Sequence, residues 1–181
     1  RVYHQGIGAT KYVEITTSAA GTFNDWDNTA PTSSVYSIGG DGGYKPTNTS
    51  STEYIAMVMT DIQGFSKFGS YVGNGSADGQ FVYTGFKPAF LFAKNITQAG
   101  YDCTINDSKR DPSNEVDQFI WANASGPEYD GSGISLDFDF LSNGFKVRSS
   151  RTEINQNAST YIYMAFAENP FVAGGVPTTA R

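Results

Sequence analysis

Short runs of alternating apolar and polar residues recur along the chain, separated by Gly, Pro and Asn. Residues 11–16 place Tyr12, Glu14 and Thr16 opposite Val13 and Ile15, and residues 34–38 put Ser34, Tyr36 and Ile38 on one side. The run 53–62 is longer, with Tyr54, Ala56, Val58 and Thr60 against Ile55, Met57, Met59 and Asp61. Segments 80–84, 89–94, 101–105, 134–140, 144–147 and 160–167 follow. Together they predict about nine strands, at the short spacing of a sandwich or barrel. The longest apolar stretch, 88–93, has the length of a buried strand and falls far short of a membrane span.

Helical periodicity is confined to residues 115–121. There Val116, Phe119 and Ile120 share a helical face and Asn114 can cap it, which predicts one or two turns. An internal repeat is also predicted. TEYIAMVMTDIQGF (52–65) aligns with TYIYMAFAENPF (160–171), placing Met57 on Met164, and residues 33–38 align with 142–147. The predicted fold is therefore all-β, in antiparallel β-sandwich (jelly-roll-like) units forming two diverged repeats. The first unit, 1–70, lacks opening strands equivalent to 79–94. The second, 71–181, is complete and carries a C-terminal tail at 172–181. Tyr54 to Thr60 and Tyr161 to Ala167 are expected in equivalent core strands. Phe65, Phe90, Phe92, Phe145, Ile162, Met164 and Phe166 are expected among the best-buried side chains.

Composition agrees with a folded β protein. Aromatic residues reach 14% and charged residues only 17%, which argues against disorder, since disordered chains are poor in aromatics. The net charge of −6 repels phosphate backbones, so nucleic acid is not an expected partner. Cys103 is the only cysteine, so no internal disulfide forms, and it reads as a small buried hydrophobe. The chain opens on Arg1 rather than Met and is read as a fragment or processed product. Its missing strands predict a homo-oligomer, most simply a trimer or a longer polymeric array, with residues 1–16 at or near a subunit contact.

Candidate chemistry is sparse. Asp137 and Asp139 share a strand face, with Phe138 and Phe140 pointing the other way, and Asp25 and Asp27 flank Trp26. A pair of acids roughly 5 to 9 Å apart can cleave glycosides, but no further acid or aromatic subsite supports that here. Asp41, Asp107, Asp111 and Asp130 are loop oxygen donors without calcium-loop spacing, and Asp-Gly is first a turn signal. His4 is the only histidine, which leaves no base for a nucleophile and no transition-metal set. No enzyme activity, cofactor or metal is expected. The remaining candidates are Tyr44, Tyr101, Trp121 and Tyr129, amphipathic rings in or beside polar, Gly-rich loops, which suit a sugar- or protein-binding surface.

Several stretches carry a resemblance: YHQGIGATKYVEI (3–15), W-x-N-T-A-P-T-S-S-V-Y-S (26–37), GFSKFGSYVGNGSADGQFVYTGFKPAFLFAK (64–94), LSNGFKVRS (141–149) and STYIYMAFAENPFVAGGVPTTAR (159–181). The chain resembles the C-terminal β-domains of tail and tail-fibre proteins of marine bacteriophages, and it departs from them most between 103 and 130. The resemblance implies a virion tail component, structural or adhesive, extracellular once assembled. It implies partners among its own copies and other virion proteins, with a glycan or protein on the host surface as receptor and no membrane insertion. It brings no catalytic residues. The alternatives are a polysaccharide depolymerase using Asp137, or a capsid decoration protein.

Overall fold

The computed structural model describes residues 1–39, 46–173 and 176–178. It is mostly β, with antiparallel sheets and, among the described residues, one short α-helix. The N-terminal segment holds a small pair, β1 (Lys11–Tyr12) and β2 (Gly21–Thr22). The main strands are β3 (Ser66–Val72), β4 (Phe81–Tyr83), β5 (Pro88–Asn95), β6 (Thr104–Asp107), β7 (Phe119–Trp121), β8 (Phe138–Leu141) and β9 (Gly144–Val147). They are followed by α1 (Thr152–Asn155) and β10 (Thr160–Ala167). A terminal hairpin joins β11 (Phe171–Ala173) to β12 (Val176–Thr178).

One sheet has the order β3-β10-β5-β6-β7 and another the order β4-β9-β8. Their facing side chains share one core: Tyr71, Leu91, Phe119, Tyr161 and Tyr163 from the larger sheet meet Phe138, Phe140, Phe145 and Val147 from the smaller. Tyr71 stacks on Tyr161 at 5.0 Å between ring centroids, and Phe145 meets Tyr163 edge-on at 5.2 Å. Buried tyrosines are tolerated because their hydroxyls reach backbone acceptors. Tyr71 donates to the Ile154 carbonyl at 2.8 Å and Tyr161 to the Thr152 carbonyl at 2.5 Å, so both hold α1 beneath the core. Asn155 closes the same end. Its amide donates to Asn74 Oδ1, the Ser76 carbonyl and the Ser149 carbonyl, while its Oδ1 accepts from the Asn74 N–H. Where β4 crosses β9, Gly144 lets the backbones close up, because a Cβ there would lie 2.2 Å from the Val82 carbonyl oxygen.

Several expectations need correction. Residues 54–60 lie in no strand and are exposed throughout, whereas 161–167 fall within β10 between β3 and β5. Residues 33–38 are likewise outside any strand, while β9 is largely buried. The aligned segments therefore do not occupy equivalent elements, because among the described residues only one member of each pair is paired into a sheet. A boundary between residues 70 and 71 falls inside β3.

The expected core was also one residue out of phase. Leu91 and Ala93 of β5, and Tyr161, Tyr163 and Ala165 of β10, point into the core. Phe90, Phe92, Met164 and Phe166 therefore lie on the opposite face and are only half-buried, as is Phe65, while Phe145 and Ile162 are buried as expected. Residues 115–121 form no helix. Val116 bridges Phe138, and β7 pairs with β6. Asn114 caps nothing helical: its amide donates to the Phe140 carbonyl and its Oδ1 accepts from the Phe140 N–H, extending the edge of β8 in place of a backbone. Of the segment 11–16, only Lys11–Tyr12 is strand. The expected C-terminal tail, 172–181, holds β12 and all but the first residue of β11, which pair antiparallel.

Candidate functional site

The free edge of the larger sheet is built by β7 and the chain that returns beside it. Phe119 exchanges backbone hydrogen bonds with Tyr129, at 3.1 and 2.9 Å, so residues 122–128 form a loop over the sheet edge. Asn123 fixes the start of that loop. Its Oδ1 accepts from the Cys103 N–H at 2.8 Å and its amide donates to Asp102 at 2.7 Å.

Alternation then settles the aromatic arrangement. Phe119 is fully buried and forms the floor. Tyr129 stacks on it at 5.4 Å, Trp121 meets it edge-on at 4.7 Å, and the rings of Trp121 and Tyr129 are 5.9 Å apart. Trp121 and Tyr129 are thus brought together, half-buried, with the buried Phe119 holding both ring planes. Tyr101 is half-buried and stays outside this aromatic group. Tyr44 lies outside the described residues. Phe119 was missed as a site residue, although its two-residue spacing from Trp121 is a strand signal.

Carboxylates gather beside this edge. Asp111 Oδ2 accepts from the Asp117 N–H at 2.9 Å. Burial pushes the Asp117 carboxyl up, helped by its hydrogen bond to Asp111 and by the charges of Asp111 and Asp130. Asp137 is pushed up to about 6, by burial first and then by the charges of Glu115 and Asp117. Its neighbour on the face, Asp139, instead lies 3.5 Å from the Arg148 guanidinium, which also contacts Glu115 at 3.3 Å. On the other side Arg110 bridges Asp107 at 3.0 Å and Glu128 at 2.8 Å, tying the loop to β6. Asp107 Oδ1 also accepts from the Lys109 and Arg110 N–H groups, a turn role. Among the described residues no group of three or more His, Cys, Asp or Glu side chains is placed to hold a metal ion.

The other acid pair does not converge. Asp25 is fully buried, and burial raises its pKa against the opposing pull of Arg1. Arg1 lies 3.7 Å from Asp25 and 3.2 Å from Glu14, and its guanidinium sits 3.5 Å above the Tyr12 ring centroid. Asp27 is exposed in the left-handed region, at φ 51°. Trp26 between them donates to the Lys11 carbonyl at 2.9 Å and packs edge-on against Tyr3, so this corner holds the N-terminal segment together. Cys103 is buried, which raises its thiol pKa.

This arrangement can present a rigid aromatic surface beside hydrogen-bonding acids. No curated protein and no solved structure matches the chain. The family described as a domain of unknown function (DUF7483) matches residues 1–170, and the chain belongs to that family.

Proposed function

We propose that this chain is a structural and adhesive component of a bacteriophage virion, in the tail or tail fibre, and that it contributes to host-surface recognition. The observation that carries the recognition half is the pairing of Trp121 with Tyr129 over buried Phe119. Two partly exposed rings held by a buried third lose little freedom on binding and offer a flat face to a sugar ring, while neighbouring carboxylates accept its hydroxyls. The tail assignment rests on the sequence resemblance, and the β-rich frame is compatible with it.

The expected outcome is that the protein binds envelope polysaccharide of its host and that Trp121→Ala lowers affinity at least about tenfold, the roughly 1.4 kcal/mol of one lost stacking contact. Titration calorimetry against purified envelope glycans checks this. Equal affinities for the two proteins would remove Trp121 from the surface. Antibody labelling of particles in the electron microscope separates tail from capsid decoration.

Asp137 favours a second reading as a polysaccharide depolymerase, since a carboxyl titrating near 6 suits a general acid. Release of reducing sugar that is lost in Asp137→Asn would establish it.

A further inference from the structure

Residues 53–60 form an extended arm with no strand partner among the described residues. Ile55 is 95% exposed, Met57 83% and Val58 75%. The arm carries no charge between Glu53 and Asp61 and contains neither Gly nor Pro. Both of its faces are apolar: Tyr54, Ala56 and Val58 on one, Ile55, Met57 and Met59 on the other. A strand of that pattern belongs between two layers, since one face alone cannot bury it. Left in water, such a segment is an aggregation hazard.

Its own sheet is closed to it. The arm ends in a tight turn in which Ile62 and Ser66 exchange backbone hydrogen bonds at 3.1 and 3.0 Å. Continuing that hairpin would set Thr60 opposite Phe68 and Val58 opposite Ser70. The Phe68 N–H, however, is taken by Asp61 Oδ1 at 2.8 Å, and the Phe68 carbonyl by the Gln5 side-chain amide at 2.8 Å. Side chains have capped the edge of β3 where the arm would pair, and the arm peels away.

Among the described residues, the outer edge of β4 is open and lies nearby. Gln80 accepts from the Val147 N–H, and Thr84 donates to the Asn143 carbonyl. The antiparallel alternation between them turns the N–H and C=O groups of Phe81 and Tyr83 outward, away from β9. Both side chains are exposed, Tyr83 at 66%. A groove of about 380 Å³ runs between this edge and the root of the arm, lined by Asp61, Gln63, Ser66 and Lys67 on one wall and Tyr83 and Gly85 on the other. Donor and acceptor therefore share one side of the molecule.

We propose that residues 53–60 are an exchanged strand that adds to the outer edge of β4 in a second copy of this chain. The eight residues span about 26 Å when extended, enough to leave one body and cross a neighbouring edge. Because arm and edge adjoin, one two-fold axis satisfies both copies at once and leaves no arm free. Residues 54–60 of the arm are uncharged and so bring no like charge into a second acidic body. This inference does not depend on the tail assignment.

The test uses the full chain in sedimentation equilibrium. Wild type is expected at twice the 19.5 kDa of one chain. The double variant Ile55→Asp, Met57→Asp disables the donor at exposed positions. Phe81→Pro removes an outward N–H and so blocks the acceptor while sparing the β4–β9 ladder. Each variant alone is expected at the mass of one chain, with a circular dichroism spectrum like that of wild type. Mixed together they should form a heterodimer, because each retains what the other lacks. A monomeric wild type at all concentrations, a dimer that survives either variant, or variants that fail to complement would overturn the proposal. So would loss of the β spectrum in both variants, since these sites would then be part of the body's own fold.

Discussion

Asp137 carries most of its environment in one number: its carboxyl titrates near 6, against an ordinary value of 3.8. Between those limits the folded protein binds more protons than the unfolded chain, so this group makes stability fall as pH rises from about 4 to about 6. Above that the penalty is complete and flat. His4 acts with the opposite sign, because burial lowers its pKa and stability is lost as pH falls below its ordinary value of 6.5. Comparing Asp137→Asn with wild type isolates the carboxyl. The variant should be the more stable at pH 7, and the gap should close towards pH 4, as read from urea midpoints. A gap independent of pH would mean that the substitution acts by packing rather than charge. The same scale separates two phenylalanines that look alike in sequence. Phe145 is fully buried between the sheets, and its truncation to Ala should cost roughly 3–5 kcal/mol. Phe166 sits on the other face among Phe65, Phe68 and Phe90, half-exposed, and should cost about 1–2 kcal/mol. Equal losses in chemical denaturation would show that the outer face is as well packed as the inner.

At the scale of elements, β3 and β7 were not anticipated, and each for a physical reason. Ser66–Val72 carries Gly69, which weakens a strand by local criteria. In the fold that glycine makes room for Tyr163, whose hydroxyl would lie 2.6 Å from a Cβ at that position. The side-chain spacing of 115–121 fits a helix as well as a strand over so few residues, and pairing with β6 decides between them. In contrast β5, β9 and β10 were legible almost to their ends, since strong alternation and clear turn residues bound them. Lys94, next to last in β5, is fully buried, and its ammonium donates to the Thr16 and Ser18 carbonyls at 2.6 and 2.9 Å. It therefore ties the N-terminal segment onto the outer face of the sheet. Lys94→Met keeps the stem and removes the charge, and should cost about 1.5–3 kcal/mol. Amide exchange is expected to accelerate across residues 1–20 while β5 and β10 stay protected. Uniform acceleration would mean that the segment and the sheets open as one unit.

For the whole molecule, the two main sheets share one core of side chains drawn from residues 71–167. The candidate surface depends on that core, because Phe119 belongs to it and also supports Trp121 and Tyr129. The two rings were recognisable in sequence as amphipathic residues in a polar loop. Their partnership was not, since a loop of unknown path gives no distance between its ends. The sequence by itself determined the β class, the turns, the spacing of most strands and the lack of any long helix among the described residues. Only the tertiary structure decided which face of each strand became core and which strands acquired partners. Residue pattern is a local property, and YIAMVMT (54–60) and YIYMAFA (161–167) are both near-continuous apolar runs. Burial depends on neighbours in space: the second segment has a hydrogen-bonded strand on each side, and the first has none within the described chain.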